Sequence, residues 1–310
     1  MKAIRFHEYG SPDVLRYEDV PIPEPENGQV LVKLHAAAVN PVDCAIRAGY
    51  FRTLRGHTIP LIPGWDFSGV VEGVGSGVQQ WKVGDEVFGH PPIPGSGTYC
   101  EYIAVSESIC ARKPATLDHV HAAAIPLVAL TAWQALFEHA RVRAGDLVLI
   151  QSGAGGVGSF AIQFAKLAGI HTAATASGRN QDFLRELGTE LAIDYETQRF
   201  EDWVFDADAA IDSLGGSIRE RCWSVLKPGG ILVALTMRPP SDADAAAHGI
   251  RQQTLWVHGD QDRLSEIAVL ADAGSIRPFV NTVLPLRDAA EAHRLSETNH
   301  ARGKIVLQIV

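Results

Sequence analysis

The chain has 310 residues, 46% of them apolar, which is enough for two domains with separate cores. A formal net charge of −9 argues against nucleic acid as a main partner, and no run of about 18 apolar residues is present to cross a membrane. Cys44, Cys100, Cys110 and Cys222 stand apart without C-x-x-C spacing, so neither a zinc cluster nor a disulfide framework is expected, only reduced and mostly buried thiols.

In chain order, Met1-Lys2-Ala3-Ile4-Arg5-Phe6 enters a strand pattern with no apolar leader region, and a cytoplasmic protein is expected. Short β-like runs separated by Gly and Pro follow, at 30–34, 69–75 and 99–105, with Gly84-Asp85-Glu86-Val87-Phe88-Gly89 as a turn feeding a strand. They predict a twisted antiparallel β-domain, partly barrel-shaped. From about residue 126 the pattern changes to alternating strands and helices, with apolar strands at 147–150, 170–175, 207–211, 230–235 and 254–258. That alternation predicts an α/β fold with a doubly wound parallel sheet. A helix at 217–226 is expected to stop at Lys227-Pro228-Gly229-Gly230. A helix at 286–297 and a strand at 304–309 end the chain. That strand is expected to rejoin the N-terminal domain, making 126–266 an insertion into a domain of 1–125 plus 267–310. Ser241 to His248 is polar, Ala-rich and loop-like.

Gly153-Ala154-Gly155-Gly156-Val157-Gly158 carries the most information, because Leu147-Val148-Leu149-Ile150 precedes it and a helical pattern over 160–168 follows. Strand, Gly-x-Gly-x-x-Gly turn and helix together make a pyrophosphate site for a dinucleotide. The glycines let backbone N–H groups approach the phosphates, and the helix N-terminus adds about half a positive charge. An NAD site wants an acid about 20 residues past the first glycine. Between Gly158 and Asp182 there is none; the next strand ends in Ser177-Gly178-Arg179-Asn180. A hydroxyl, a guanidinium and an amide can all donate to a 2′-phosphate, so NADPH is expected over NADH. Alternatively Ser177 and Asn180 cap the following helix, Gln181–Leu187. Leu235 and Thr236 fall at the carboxyl end of a strand, where open α/β sheets hold ligands. Thr254-Leu255-Trp256-Val257-His258 reads as an apolar edge strand that invites pairing. His57, His90, His119, His121, His258 and His300 show no i, i+4 pairing with a carboxylate and read as structural or exposed.

The chain resembles the medium-chain dehydrogenase/reductase superfamily, specifically its zinc-free NADPH:quinone oxidoreductase (zeta-crystallin-like) branch. Six ordered blocks carry the resemblance: Ala37-Ala38-Val39-Asn40-Pro41-Val42-Asp43, Pro63-Gly64-Trp65-Asp66-Phe67-Ser68-Gly69-Val70-Val71, Gly84-Asp85-Glu86-Val87, Leu130-Thr131-Ala132-Trp133-Gln134-Ala135-Leu136, the glycine turn, and Arg302-Gly303-Lys304-Ile305-Val306-Leu307. It implies a GroES-like β-domain around the inserted nucleotide domain. The zinc alcohol dehydrogenases of the superfamily have a cysteine ligand where this chain has Asn40, and Gly-His-Glu where it has Gly64-Trp65-Asp66. Asn40 and Trp65 cannot serve as zinc ligands, so no metal is expected. The lobe that binds structural zinc in those enzymes is replaced by Pro91-Pro92-Ile93-Pro94-Gly95-Ser96-Gly97.

The resemblance implies metal-free hydride transfer from NADPH to a quinone or another α,β-unsaturated carbonyl compound, in a cleft between the domains. It places Asn40 near the nicotinamide, where an amide could bond a carbonyl oxygen as enolate character grows; otherwise Asn40 closes the turn before Pro41. Thr131 resembles the threonine that faces the nicotinamide or its ribose, and otherwise is a helix hydroxyl. Tyr50 lies close to a tyrosine that approaches substrate in related enoyl reductases, as oxygen ligand, proton donor or pocket lining. Phe51 and Trp65 would complete an apolar wall for flat acceptors, and Ala45, where the branch often has an aromatic, would alter the pocket. Tyr195 matches a tyrosine at the adenosine-phosphate end. Gly303 and Lys304 resemble residues that close over the cofactor, and Lys304 is otherwise a surface charge. Two other readings stay open. An enoyl-thioester (CoA or acyl-carrier) reductase would use Arg47, Arg52 and Arg55 on a phosphate; a non-catalytic NADPH-binding structural or regulatory protein would transfer no hydride. Relatives commonly dimerise through the nucleotide-sheet edge, so a homodimer is expected.

Overall fold

Hydrophobic alternation sets the β-rich elements, and the turn residues between them set their order. The computed structural model describes residues 1–53, 58–95, 97–236, 245 and 247–310. Arg55, His57, Ser96 and most of Ser241 to His248 therefore lie outside the described residues. The chain folds as two compact units, 1–130 with 258–310, and 131–257.

The first unit opens with strands β1 (Lys2–Arg5) and β2 (Arg16–Asp19), an antiparallel pair. Strand β3 (Gln29–Val39), helix α1 (Pro41–Arg47), and strands β4 (Phe67–Val74), β5 (Glu86–Gly89), β6 (Tyr102–Ser106) and β7 (Cys110–Arg112) follow, then helix α2 (His119–Ala123) and helix α3 (Pro126–Trp133), within which the unit boundary at 130/131 falls. The long strand β3 organises the sheet. Its first half alternates buried and half-buried residues and pairs antiparallel with β4 and β6. Its second half is Ala36-Ala37-Ala38-Val39, buried throughout. Both faces are covered there: Ala36 and Ala38 pack on Ala123 and Ala124, while Ala37 and Val39 pack on Leu286, Ala289 and Ala292. Only small residues fit such a layer, since overpacking typically costs about 1–3 kcal/mol.

The second unit contains β8 (Leu147–Ile150), α4 (Gly156–Leu167), β9 (His171–Ala176), α5 (Gln181–Leu187), β10 (Leu191–Asp194), β11 (Ala207–Asp212), α6 (Gly216–Trp223), β12 (Leu226–Ala234) and β13 (Arg251–Thr254). The six strands pair in the order β10-β9-β8-β11-β12-β13, all parallel. The order reverses on either side of β8, so a crevice opens outside the carboxyl ends of β8 and β11. The doubly wound sheet is as expected.

Two local expectations are corrected. Lys227-Pro228-Gly229-Gly230 does not end a helix but lies within β12, bulging where the register against β11 shifts between Ala207 and Ala209. The edge strand is β13, Arg251-Gln252-Gln253-Thr254, which is polar; the apolar stretch after it, with Leu255 buried and Trp256 partly exposed, forms no strand.

The chain then returns to the first unit. Helix α7 (Gln261–Asp272) packs on β7, which places the boundary before it, at 257/258, whereas the sequence pattern puts it at 266. Strand β14 (Val280–Pro285), helix α8 (Ala289–Glu297) and strand β15 (Lys304–Gln308) complete the sheet in the order β14-β15-β3-β4-β5-β7. β14 and β15 are parallel and the other pairings are antiparallel. No helix among the described residues is long and apolar enough to cross a membrane. All four cysteines are unbridged and buried, and burial pushes the thiols of Cys44, Cys100 and Cys222 up to about 12.

Candidate coenzyme and acceptor site

In the second unit the glycine turn joins β8 to α4. Gly153 donates its N–H to Thr175 O at 2.8 Å, and Gly155 donates to Ser152 O at 2.9 Å. Ser152 takes a φ of 54°, a conformation that costs a non-glycine residue about 1–2 kcal/mol, and its N–H is held by Thr175 Oγ1 at 3.2 Å. The hydroxyl of Thr175 in turn donates to Gln151 Oε1 at 2.6 Å. Gly158 has to be glycine, because a Cβ there would stand 2.4 Å from Ser152 O. Helix α4 has Gly155 as its N-cap, with no side-chain cap. The amides of Gly156, Val157 and Gly158 therefore open the helix toward whatever lies beyond Ala154, as a pyrophosphate requires. Bound NADPH would supply the hydride; the residues of this turn suit its phosphates.

The segment after β9 holds the residues that the sequence pattern offers for a ribose substituent. Neither Ser177 nor Asn180 makes a side-chain cap; Asn180 Nδ2 donates instead to Ser177 Oγ at 3.1 Å. Both are buried while Arg179 is exposed, and Tyr195, also exposed, donates its N–H to Ala176 O at 3.2 Å. At the far side of the sheet, Leu235 N donates to Asp212 O at 2.8 Å. Arg219 bridges Asp212 Oδ2, at 2.6 Å, and the hydroxyl of Thr236. Asp212 Oδ1 also accepts the amides of Leu214 and Gly215 at 2.9 and 2.8 Å. Thr175, Asp212 and Arg219 were not singled out by the sequence pattern: Thr175 acts on a loop 23 residues away, and Arg219 joins Asp212 to Thr236 only in the folded sheet.

In the first unit Asn40 follows β3 and is the N-cap of α1, with Pro41 next to it. Its backbone N–H donates to Asp43 Oδ2 at 2.9 Å. Its side chain is wholly buried: Nδ2 donates to Asp66 Oδ2 at 2.8 Å and to Ala38 O at 3.4 Å, and Oδ1 accepts from Lys304. Lys304 is 4% exposed and so is not a surface charge. Its ammonium also donates to Val39 O at 2.7 Å and Asp66 Oδ2 at 3.3 Å, which uses all three of its hydrogens. Asp66 Oδ1 takes the N–H of Leu127 at 2.6 Å. Burial pulls the Lys304 pKa down, opposed by the charges of Asp66 and Asp43. Gly303, at φ 73°, lets β15 begin with Lys304 pointing inward; a Cβ there would meet Phe279 O at 2.1 Å.

A second buried chain branches from Asp43. Tyr99 OH donates to Asp43 Oδ2 at 2.8 Å, and His293 Nε2 lies 3.3 Å from the same hydroxyl. Burial raises the Asp43 carboxyl to about 7, although the Asn40 amide and the Tyr99 hydroxyl work against it. Burial, aided by Arg47, lowers His293 to about 3. Asp66, Asp43, Tyr99 and His293 were missed as a group, because they come from four separate segments.

Of the expected aromatic wall, Tyr50 is 79% exposed, Phe51 is buried and Trp65 has no exposed surface at all. Trp65 contributes its carbonyl to His90 Nδ1, at 2.6 Å, rather than a pocket face. Arg47, proposed from sequence for a phosphate patch, is corrected: it is buried and its guanidinium is paired with Glu297. Thr131 is nearly buried near the end of α3. Zinc does not fit this donor set, since an amide and an indole flank Asp66 and the carboxylate is already bonded to an ammonium and an amide N–H. Among the described residues no three His, Cys, Asp or Glu side chains are grouped to hold a metal.

Comparison with known proteins agrees with this construction. Residues 26–115 match the alcohol dehydrogenase GroES-like domain, and residues 187–307 match the zinc-binding dehydrogenase family model. The chain is 38% identical to the chloroplastic NADPH-dependent alkenal/one oxidoreductase of Arabidopsis thaliana, over 99% of this chain and 79% of that protein. It is also 38% identical to the 2-methylene-furan-3-one reductase of Solanum lycopersicum, with the same coverage. A solved quinone oxidoreductase from Coxiella burnetii superposes with a TM-score of 0.93 at 36% identity, covering 100% of this chain and 99% of that one. With its inserted parallel sheet, its glycine turn and an ammonium among the residues that replace the zinc ligands, the chain belongs to the medium-chain dehydrogenase/reductase superfamily, in its zinc-free quinone oxidoreductase branch.

Proposed function

We propose that the protein is an NADPH-dependent reductase of carbon–carbon double bonds conjugated to a carbonyl, with quinones as further acceptors. One observation carries the coenzyme: β9 is followed by Ser177, Gly178 and Arg179, and that segment holds no acid to bind a ribose 2′-hydroxyl. The acceptor class draws on the Arabidopsis and tomato relatives, whose names specify alkenal/one and 2-methylene-furan-3-one substrates. Such acceptors take hydride at carbon while the oxygen gains charge, and no Lewis acid is needed.

In this reading Tyr50, the exposed phenol after α1, bonds the substrate oxygen, and the buried Phe51 follows it in the chain. Asn40 acts through its neighbours: with both amide hydrogens engaged, it holds Lys304 and Asp66 in place beneath the site. Thr131, Gly153–Gly158, Ser177, Arg179, Asn180, Tyr195, Leu235 and Thr236 hold the coenzyme, and Gly303 with Lys304 fixes the strand that supports Asn40. The proposal includes a cytoplasmic homodimer formed along the open edge of β13. Steady-state assays with alkenals, cyclic enones, quinones and enoyl thioesters, each with NADPH and NADH, test it. The highest kcat/KM is expected for an enone or alkenal with NADPH. Tight NADPH binding without hydride transfer to any acceptor would instead mark a non-catalytic protein, and a preference for enoyl thioesters would move the substrate class.

A further inference from the structure

The nucleotide unit brings an acid to the coenzyme's ribose end by a route that linear spacing hides. β9 and β10 are parallel, with Asp194 opposite Ala176, so the segment leaving β10 runs beside the segment leaving β9. Glu196 Oε2 accepts the N–H of Gly178 at 3.2 Å. Asp194 lies on the same side: a Cβ added to Gly178 would stand 3.0 Å from Asp194 Oδ2 and 3.7 Å from Glu196 Oε2. The two carboxylates differ in freedom. Asp194 is fastened inside its own turn, accepting from Glu196 N at 3.1 Å and from Thr197 Oγ1 at 3.0 Å. Glu196 is exposed, and its carboxylate reaches across to the Gly178 amide.

The carboxyl end of the second strand is where nucleotide-binding sheets discriminate a ribose 2′-hydroxyl from a 2′-phosphate. A phosphate monoester carries about −1.5 to −2 charges at neutral pH and seeks backbone amides and guanidinium groups. Gly178 N, between Ser177 and Arg179, is the amide it would take, and Glu196 already sits on it. We propose that Glu196 is a coenzyme-selectivity residue: its carboxylate competes with the 2′-phosphate for the Gly178 amide and repels it. This narrows the preference for NADPH that Ser177 and Arg179 establish, leaving NADH usable. The inference rests on the NADPH reading above.

Direct binding distinguishes the two ideas. NADPH and NADH are titrated against wild type, Glu196→Gln, Glu196→Lys and Arg179→Ala, following nicotinamide fluorescence at pH 8 and at low and high salt. Glu196→Gln keeps an acceptor for Gly178 but loses the charge; it should tighten NADPH roughly three- to tenfold and leave NADH within about twofold. Glu196→Lys should tighten NADPH further, and both gains should shrink as salt screens them. Unchanged NADPH affinity in both Glu196 variants overturns the inference. So does a weaker NADH complex in Glu196→Gln, which would make Glu196 a ligand of the ribose hydroxyl. The NADPH reading fails separately, if Arg179→Ala costs NADPH no more than NADH while wild type prefers NADH. An Arg179→Ala loss confined to NADPH, with inert Glu196 variants, leaves that reading standing and removes only the inference.

Discussion

A single ammonium decides the chemistry of the buried centre in the β-rich unit. Lys304 faces Asp66, the Asn40 amide oxygen and the Val39 carbonyl, all of them on buried residues. Removing one partner of a buried charge pair typically costs about 3–5 kcal/mol, because the other charge stays buried and alone. Lys304→Met should therefore lose stability in that range in urea denaturation. The double variant Lys304→Met/Asp66→Asn should recover part of the loss, since it removes both charges. A Lys304→Met protein within about 1 kcal/mol of wild type would show the pair to be energetically idle. Little of this was legible in the sequence. Asn40, Asp66 and Lys304 stood in recognisable blocks, but the bond between Asn40 and Lys304 spans 264 positions, and no local pattern records it. Glu196 was invisible for a related reason: it reaches Gly178 from just beyond the neighbouring strand, 18 residues on, where spacing along β9 gives no sign of it.

Among the elements, those set by local pattern were read well. The strand at 147–150, the glycine turn and helix Gln181–Leu187 follow from periodicity and punctuation within about a dozen residues. β12 and β13 were misjudged because tertiary pairing overrode local signals: a Pro-Gly-Gly run was absorbed as a bulge, and a polar run was taken up as the sheet's edge. β15 depends on backbone geometry at its first step. Gly303 sits at φ 73° against the Phe279 carbonyl, and Gly303→Ala would force a left-handed alanine and a clash together. A loss of roughly 2–4 kcal/mol is expected, measured by chemical denaturation. An alanine variant as stable as wild type would mean that β15 can enter the sheet by another path.

Across the whole molecule, stability should respond to pH through buried and stacked titratable groups. His35 and His119 stack with centroids 4.2 Å apart, and His119 Nδ1 lies 2.8 Å from Ser68 Oγ. Burial lowers His119 to about 4, with His35 and Lys113 adding to the effect and Glu86 opposing it. His35 is lowered by burial and by Lys33, against Glu86 and Glu72. A histidine whose folded pKa lies below its unfolded value leaves the unfolded chain to bind protons first. Stability from this pair is therefore present above about pH 6.5 and is lost as pH falls toward 4. Asp43, raised to about 7, works in reverse: its contribution is greatest in acid and declines as pH rises from about 4 to 7. The wild-type profile is the sum of these opposed slopes, so a substitution is needed to separate them. His119→Gln should flatten the loss of thermal stability between pH 6.5 and 4 by up to one proton's worth of slope. Parallel melting curves for wild type and variant in that window would count against the stacked pair as a pH-sensitive element.

The place of β15 between β14 and β3 also bears on how the chain is made. Until the ribosome has translated past residue 304, Ala36 to Val39 wait with unpaired backbone groups, although β4 and α2 beside them were made long before. The inserted nucleotide unit, complete at residue 257, can emerge and mature meanwhile as a finished guest on an unfinished host. A nascent chain stalled between those two points would expose an open seam to chaperones while its second unit is already complete in sequence.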